Sequence, residues 1–166
     1  MTTSSTVRNE LVVASPVGKL RLAASRDGLL SIEVGKAAAS HRATAKDSSA
    51  QRVLATTRKQ LAEYFSGRRT SFTVPLDLRG TEFQIESWKA LEQIPYGKTI
   101  SYGEQAQSIG NPKACRAVGS ANGKNPIPII VPCHRVVSAD GSLGGYALGL
   151  KMKKQLLNLE ENRRKK

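Results

Sequence analysis

The residues with the clearest capacity for chemistry are a cysteine and a histidine that are adjacent in the sequence, Cys133 and His134. A thiolate is a strong nucleophile, and a neighbouring imidazole can take the proton of the thiol. Glu160, in a predicted terminal helix over 151–161, can accept a hydrogen bond from the other ring nitrogen and orient the histidine. The alternative is an inert structural cysteine, because the preceding run 125–132 is apolar and burial raises the pKa of a thiol.

Two short helices joined by a tight turn are predicted upstream of this cysteine, over 102–109 and 113–121. Pro112 is expected at the first position of the second helix, which gives helix-turn-helix spacing. That helix carries Lys113 and Arg116 beside small residues, so it can approach a nucleic-acid groove, including the shallow minor groove. Arg116 can insert between bases or clamp a phosphate. An ordinary packed helical hairpin explains the same pattern.

Composition favours a folded protein with a polyanionic partner. The chain has 166 residues, 39% of them apolar, and 26 basic against 13 acidic residues give a net charge of +13. Only two cysteines occur, so we expect no disulfide framework, and the two cysteines and two histidines have no zinc-finger spacing, so we expect no metal. We take Cys115 as a small helix-packing residue.

The sequence has no apolar run long enough to span a bilayer and no signal-peptide core. The chain is therefore expected to be soluble and cytoplasmic, and to be associated with the nucleoid in a prokaryote.

The elements that must position these residues fall into two predicted domains, 1–80 and 81–166. The first is an α/β domain with an antiparallel meander covered by one helix, whose end is capped by Gly67. Its predicted segments are strands over 11–14, 19–24 and 29–34, a loop over 37–49, the helix over 50–66 and an edge piece over 73–78. In the second domain Thr81 caps a helix with an apolar core stripe, formed by Phe83, Trp88, Leu91 and Ile94.

Several motifs together carry a family resemblance. Pro132-Cys133-His134-Arg135-Val136 resembles the active-site signature of the O6-alkylguanine-DNA alkyltransferases, and the segment Gly110-Asn111-Pro112-Lys113-Ala114-Cys115-Arg116-Ala117-Val118-Gly119 is similar to their recognition helix. The likeness extends over most of the chain, through the segments 15–20, 81–84, 94–97 and 101–103 to Leu156, Leu157 and Glu160. It implies a ribonuclease H-like N-terminal domain and a mainly α, winged-helix-like C-terminal domain that contains the helix-turn-helix.

The resemblance also implies a role for each matching residue. Cys133 is the alkyl acceptor, His134 its base through a bound water, and Glu160 orients that histidine. Asn125 holds the turn before Cys133, and Tyr102 rotates a phosphate and donates a proton or a hydrogen bond to the departing guanine. The implied DNA-binding residues are Lys113, Arg116, Ala117, Ser120 and Tyr102, and the implied pocket residues are Val136, Tyr146, Ala147 and Leu148. Family members commonly have a serine and glycines in the loop after Tyr146, whereas here Ala147 and Leu148 precede Gly149, and Leu148 is expected to narrow the pocket.

The implied activity is irreversible, cofactor-free removal of the alkyl group from O6-alkylguanine, and from O4-alkylthymine, in double-stranded DNA. The alkyl carbon lies inside the duplex, so the nucleotide must be flipped out through the minor groove. The thioether product has no carbonyl for water to attack, so each chain reacts once. The chain is expected to be monomeric in solution, and cooperativity on DNA stays open.

Two other functions compete with this interpretation. A Cys-His-Glu hydrolase would use the same three residues, but it leaves the basic charge unexplained. A DNA-binding regulator without enzymatic activity explains the charge, but it gives Cys133 and His134 only a packing role.

Overall fold

The computed structural model describes residues 9–35 and 47–164, and the chain divides into two compact units between Leu78 and Arg79. Within the described part no helix is both long and apolar enough to cross a membrane.

The N-terminal unit is built on a three-stranded antiparallel sheet. Its strands, in the order β1-β2-β3, are β1 (Asn9–Val13), β2 (Leu20–Ser25) and β3 (Gly28–Val34). Leu11 pairs with Leu22, which in turn pairs with Ile32. The predicted meander is therefore confirmed, with strand ends displaced by one or two residues. Leu20 and Leu22 are fully buried.

A long helix, α1 (Ser48–Phe65), packs on this sheet and begins two residues earlier than predicted. The side chain of Asp47 accepts hydrogen bonds from the amides of Ser49 and Ala50, which satisfies N–H groups that otherwise lack partners at a helix start. The prediction that 37–49 is a loop is thus wrong for its last two residues, and 37–46 lies outside the described residues. Gly67, at φ +78°, ends the helix as predicted.

The predicted edge piece over 73–78 lies beside β3 as an isolated bridge and forms no regular strand. Leu29 donates its amide to Pro75 and accepts from Asp77, both at 2.8 Å. A Cβ at Gly28 would stand 2.7 Å from the Pro75 carbonyl oxygen, so only glycine permits this approach.

The C-terminal unit is mainly helical. Its helices are α2 (Glu82–Glu92), α3 (Tyr102–Ser108), α4 (Cys115–Gly123) and α5 (Leu150–Arg164), and short strands β4 (Ile100–Ser101) and β5 (Val136–Val137) pair in parallel. Thr81 caps α2 in a capping box with Gln84, as its position predicted. The Trp88 indole is buried and donates to the carbonyl of Ala121 at 2.8 Å, which ties α2 to α4.

The prediction that Pro112 begins the second helix of the helix-turn-helix is wrong. The amide of Ala114 bonds to the carbonyl of Asn111 at 3.0 Å, which closes a turn, and the first helical bond runs from Val118 to Ala114. Pro112 and Lys113 therefore lie in the turn before α4. The helix itself continues two residues beyond its predicted end.

Candidate active site

Cys133 opens a short 3₁₀ turn, Cys133–Arg135, at the end of a buried, proline-interrupted segment. The Asn125 side chain holds this segment from within: its amide nitrogen donates to the Val131 carbonyl at 2.8 Å, and its oxygen accepts from the Ile127 amide at 3.0 Å. Both hydrogen-bonding functions of Asn125 thus fix the approach to the cysteine. Ile129 lies between Ile127 and Val131, the two residues that Asn125 contacts, and it is fully buried. Its φ of +76° is a strained backbone conformation for a β-branched residue.

His134 and Glu160 form a buried pair. Nε2 of His134 lies 2.8 Å from Oε1 of Glu160, and the two side chains are 0% and 1% exposed. Burial lowers the pKa of His134 and outweighs the opposing effect of Glu160, so the imidazole is neutral at pH 7. A neutral ring that donates from Nε2 carries its lone pair on Nδ1. That atom is buried and has no hydrogen-bond partner among the described residues.

Glu160 is held ionised by a dense set of donors. Arg135 contacts its carboxylate through Nε and a terminal nitrogen, at 3.0 and 2.8 Å, and the Gly97 amide approaches at 3.4 Å. Arg135 also donates to the Ile94 carbonyl and lies over the ring of Tyr96. Burial raises the pKa of Glu160, but hydrogen bonds from His134 and Arg135 and their charges outweigh it and lower the pKa to about 2.

Cys133 itself is 8% exposed, and burial raises the pKa of its thiol. The Asn125 side chain, and then Lys153 and Tyr146, act in the opposite direction because they stabilise the thiolate. At rest the group is therefore a thiol that must lose its proton before it can attack.

A cavity of about 200 Å³ opens beside the sulfur. It is lined by Tyr102, Gly119, Asn122, Gly123, Cys133, Gly145, Tyr146 and Ala147. The predicted residues Tyr102, Tyr146 and Ala147 thus share one space with the nucleophile. The Tyr102 hydroxyl donates to the Gly145 carbonyl at 3.4 Å, and burial raises the pKa of Tyr102, so that the phenol stays protonated.

Two predicted pocket residues do not line this cavity. Leu148 is 37% exposed because Tyr146–Gly149 forms a turn, closed by a 3.0 Å bond from the Gly149 amide to the Tyr146 carbonyl, which carries Leu148 outward. Leu148 therefore does not line this cavity, and its effect on the width of the substrate pocket stays a prediction. Val136 is fully buried, and its carbonyl accepts a 2.7 Å hydrogen bond from Lys153.

The predicted DNA-binding residues lie on or beside the exposed face of α4. Arg116, Ala117 and Ser120 are exposed on the helix, and Lys113 is exposed in the preceding turn. The opposite face, which includes Val118, is buried. The helix therefore presents a small, basic surface to solvent and reaches the cavity with Gly119, Asn122 and Gly123.

Several residues of the site were missed by sequence reasoning. Gln105 and Asn122 exchange hydrogen bonds of 3.0 and 2.8 Å between α3 and α4, and Gln105 also donates to the Ser87 carbonyl. Lys153 is fully buried on α5. Neither periodicity nor a motif distinguishes these polar residues from exposed ones in the sequence, because their partners come from distant segments.

Comparison with known proteins identifies the family. Residues 10–78 match the model of the 6-O-methylguanine DNA methyltransferase ribonuclease-like domain, and residues 82–162 match that of the DNA binding domain. A methylated-DNA--protein-cysteine methyltransferase of Methanosarcina acetivorans is 47% identical over 149 residues, covering 90% of this chain and 96% of that protein.

Solved structures agree with this result. The crystal structure of Mycobacterium tuberculosis OGT in complex with DNA is 48% identical, with a TM-score of 0.83, and the match covers 93% of this chain and 94% of that one. The Mycobacterium tuberculosis O6-methylguanine methyltransferase matches with a TM-score of 0.79 at 44% identity, over 94% of each chain. The chain belongs to the 6-O-methylguanine DNA methyltransferase family.

Proposed function

We infer that this protein repairs alkylated DNA by direct reversal, moving the alkyl group from O6 of guanine to the sulfur of Cys133. The observation that carries this function is a nucleophilic thiol at a cavity of about 200 Å³, next to a buried His134–Glu160 pair, in a DNA-binding domain. The names of the relatives describe the same reaction. Sulfur supplies the nucleophile and keeps the group, so the reaction needs no cofactor and occurs once per chain.

Activation of the thiol is the first step of the proposed mechanism. The lone pair on Nδ1 of His134 receives the Cys133 proton through one bridging water, and the ionised Glu160 stabilises the imidazolium that forms. The Nδ1 atom of His134 is buried and has no partner among the described residues. Leaving a buried acceptor without a hydrogen bond costs free energy, so its presence beside Cys133 supports a functional role. Asn125 acts as a positioning residue, since both of its hydrogen bonds fix the segment that carries the sulfur.

Transfer then forms the S–C bond while the C–O6 bond breaks, and the electron pair leaves with guanine. Protonation of this leaving group lowers the barrier. Tyr102 is suited to donate that proton or a hydrogen bond, because its hydroxyl lines the cavity and remains protonated. Backbone groups of Cys133 and Ala147, which line the cavity, would recognise the base. O4-alkylthymine carries its alkyl group on an equivalent exocyclic oxygen, so we include it as a substrate.

The alkyl carbon in a duplex is out of reach of a buried sulfur, so we propose that the nucleotide is flipped out. Arg116 fills the gap that it leaves, and Lys113, Ala117 and Ser120 contact the minor groove and its phosphates. The exposure of these four residues and the small size of two of them support a close approach of α4. A monomer is sufficient for this arrangement.

The test of the nucleophile is Cys133→Ser, with Cys115→Ser as the matched control. A duplex containing O6-methylguanine should lose its methyl group to the control variant and to the wild type, but not to Cys133→Ser. The affinity for the duplex should remain within about twofold in both variants, because neither substitution removes a phosphate contact. Demethylation by Cys133→Ser would exclude Cys133 as the acceptor.

The finger role is tested with Arg116→Ala against Lys113→Ala, which also removes one cation. Both variants should bind undamaged DNA more weakly, since each loses one phosphate-neutralising charge. Only Arg116→Ala should also slow repair of the flipped base, by about tenfold or more at saturating duplex, because unstacking costs a few kcal/mol. Equal repair rates in the two variants at saturating duplex would mean that Arg116 only contacts a phosphate and does not fill the gap left by the flipped nucleotide.

A further inference from the structure

Lys153 is a fully buried lysine on α5, and the proposed alkyl transfer assigns it no role. Its ammonium donates to three main-chain carbonyls: Val136 at 2.7 Å, Gly145 at 3.0 Å, and Leu143. Burying an ammonium is expensive unless it is paired. Among the described residues no carboxylate forms an ion pair with Lys153, so its positive charge is solvated by dipoles alone.

The three carbonyls belong to the two segments that form the reactive centre. Val136 directly follows the 3₁₀ turn that begins at Cys133, and Gly145 lines the same cavity as the sulfur. Gly145 also accepts the hydrogen bond of Tyr102 through the same carbonyl. Lys153 therefore fixes the wall of the cavity to the segment of the nucleophile.

The other groups around the sulfur offer no net positive charge. His134 is neutral because burial lowers its pKa, and the guanidinium of Arg135 is neutralised by Glu160. Asn125 contributes a neutral amide, and Tyr102 and Tyr146 have pKa values raised by burial, so both are uncharged phenols at pH 7. Before the proton reaches His134, the Lys153 ammonium is therefore the one uncompensated cation among the described neighbours of Cys133.

We propose that Lys153 is the electrostatic and positioning partner of the Cys133 thiolate. This role rests on the alkyl transfer proposed above. As the thiol gives its proton to His134 through water, the negative charge that appears on sulfur interacts with the buried ammonium. The sulfur electron pair then forms the S–C bond, the C–O6 bond breaks, and its electron pair carries the negative charge to guanine, which takes up a proton. Lys153 keeps its proton and makes no bond to substrate throughout, so it is a positioning residue.

Burial is the largest influence on both groups: it raises the pKa of Cys133 and lowers the pKa of Lys153. The interaction between the two groups acts against burial in both cases. The Lys153 charge is one of the influences that lower the pKa of Cys133 against the effect of burial, and the thiolate correspondingly raises the pKa of Lys153. Each group thus favours the charged form of the other, as expected of a coupled pair.

The experiment titrates Cys133 in variants of Lys153, all in a Cys115→Ser background so that the protein has one thiol. Lys153→Gln removes the charge but keeps an amide that can donate to the carbonyls, and Lys153→Met removes both. Lys154→Gln is the matched control, because this neighbouring lysine on α5 is exposed. The rate of reaction with iodoacetamide is followed from pH 6 to 11.5, together with the melting temperature of each variant over the same range.

The charge role predicts a displaced pH profile. The midpoint for Cys133 in Lys153→Gln should rise by about one unit or more, and the rate at pH 7 should fall at least threefold, because a more basic thiolate recovers part of the loss by being more nucleophilic. Above the midpoint the rate should reach or exceed that of the control. Methyl transfer from an O6-methylguanine duplex should decline with the same pH dependence.

Two results would overturn the proposal. If the midpoint in Lys153→Gln coincides with that of Lys154→Gln, Lys153 does not interact with the thiolate. If the rate falls by one factor at every pH, the lysine has a structural role only. The iodoacetamide reaction needs no DNA, so a protein that failed to take methyl groups from DNA would refute the proposed function while the titration still reported on Lys153. If Lys153→Met unfolds, Lys153→Gln decides the question.

Discussion

The two units of this protein bury very different side chains. In the described part of the N-terminal unit the buried polar residues are all neutral, namely Asn9, Ser25, Thr57 and Gln60. Among its described residues, the C-terminal unit buries four ionisable polar side chains besides Cys133: His134, Arg135, Lys153 and Glu160. Charges are costly to bury, so their concentration around one thiol indicates that this region is organised for reactivity as well as for stability.

The largest expected effect on stability comes from breaking the buried ion pair of the C-terminal unit, with an ion pair of the N-terminal sheet as the comparison. Glu160→Gln leaves the Arg135 guanidinium buried without its counter-charge, which should cost about 3–5 kcal/mol of unfolding free energy. Glu33→Gln removes the partner of Arg21 in the sheet, where the glutamate side chain is 35% exposed, and should cost no more than about 1 kcal/mol. Urea unfolding followed by circular dichroism measures both. Equal losses would mean that the buried network is no more critical than the surface pair.

The same comparison predicts how stability responds to acid. Burial lowers the pKa of His134 below 6.5, so the unfolded chain binds a proton more readily and stability should begin to fall as the pH drops below about 6.5. The lowered pKa of Glu160 adds a second loss between its ordinary value of 4.5 and about 2. Trp88, the only tryptophan, reports unfolding of the C-terminal unit by fluorescence. In Glu160→Gln the second loss should disappear, and its persistence would assign it to another group.

A smaller effect is expected from a methyl group added at Gly144, which precedes the cavity-lining Gly145. Gly144 has φ +70°, and a Cβ there would lie 3.1 Å from the Tyr102 hydroxyl and 3.1 Å from the Ser138 hydroxyl. Gly144→Ala should cost about 1–2 kcal/mol for its backbone conformation and slow methyl transfer several-fold by displacing Tyr102. Gly141→Ala is the control, because Gly141 has φ +87° with open space around it. Equal transfer rates in the two variants would argue against a role for the position of Tyr102.

The N-terminal sheet and α1 were predictable because turn residues and apolar spacing define them locally. Errors arose where one side chain or one turn decides a boundary, as with Asp47 at the start of α1 and the Asn111 turn before α4. The two-residue strands β4 and β5 are too short to leave a pattern, although they bring Tyr102 close to the segment after Cys133.

The candidate site was predictable where the reactive residues are neighbours in the sequence or belong to a recognisable motif. Cys133, His134 and Glu160 were found from residue type and resemblance, and the structure brings the last two within 2.8 Å. Lys153 was not predictable, because it stands in a run with Lys151 and Lys154, and only the fold distinguishes the buried lysine from the exposed ones. The position of Leu148 was not predictable either, because a tight turn places this apolar side chain outside the lining of the cavity.

The central claim is that Cys133 takes the alkyl group and keeps it. Its most direct test is the intact mass of the protein after incubation with duplex DNA containing O6-methylguanine, followed by peptide mapping. The account predicts one added methyl group per chain, located on Cys133, with Cys115 unmodified although it is the exposed cysteine. Repaired DNA with an unchanged protein mass, or a methyl group on any residue other than Cys133, would contradict it.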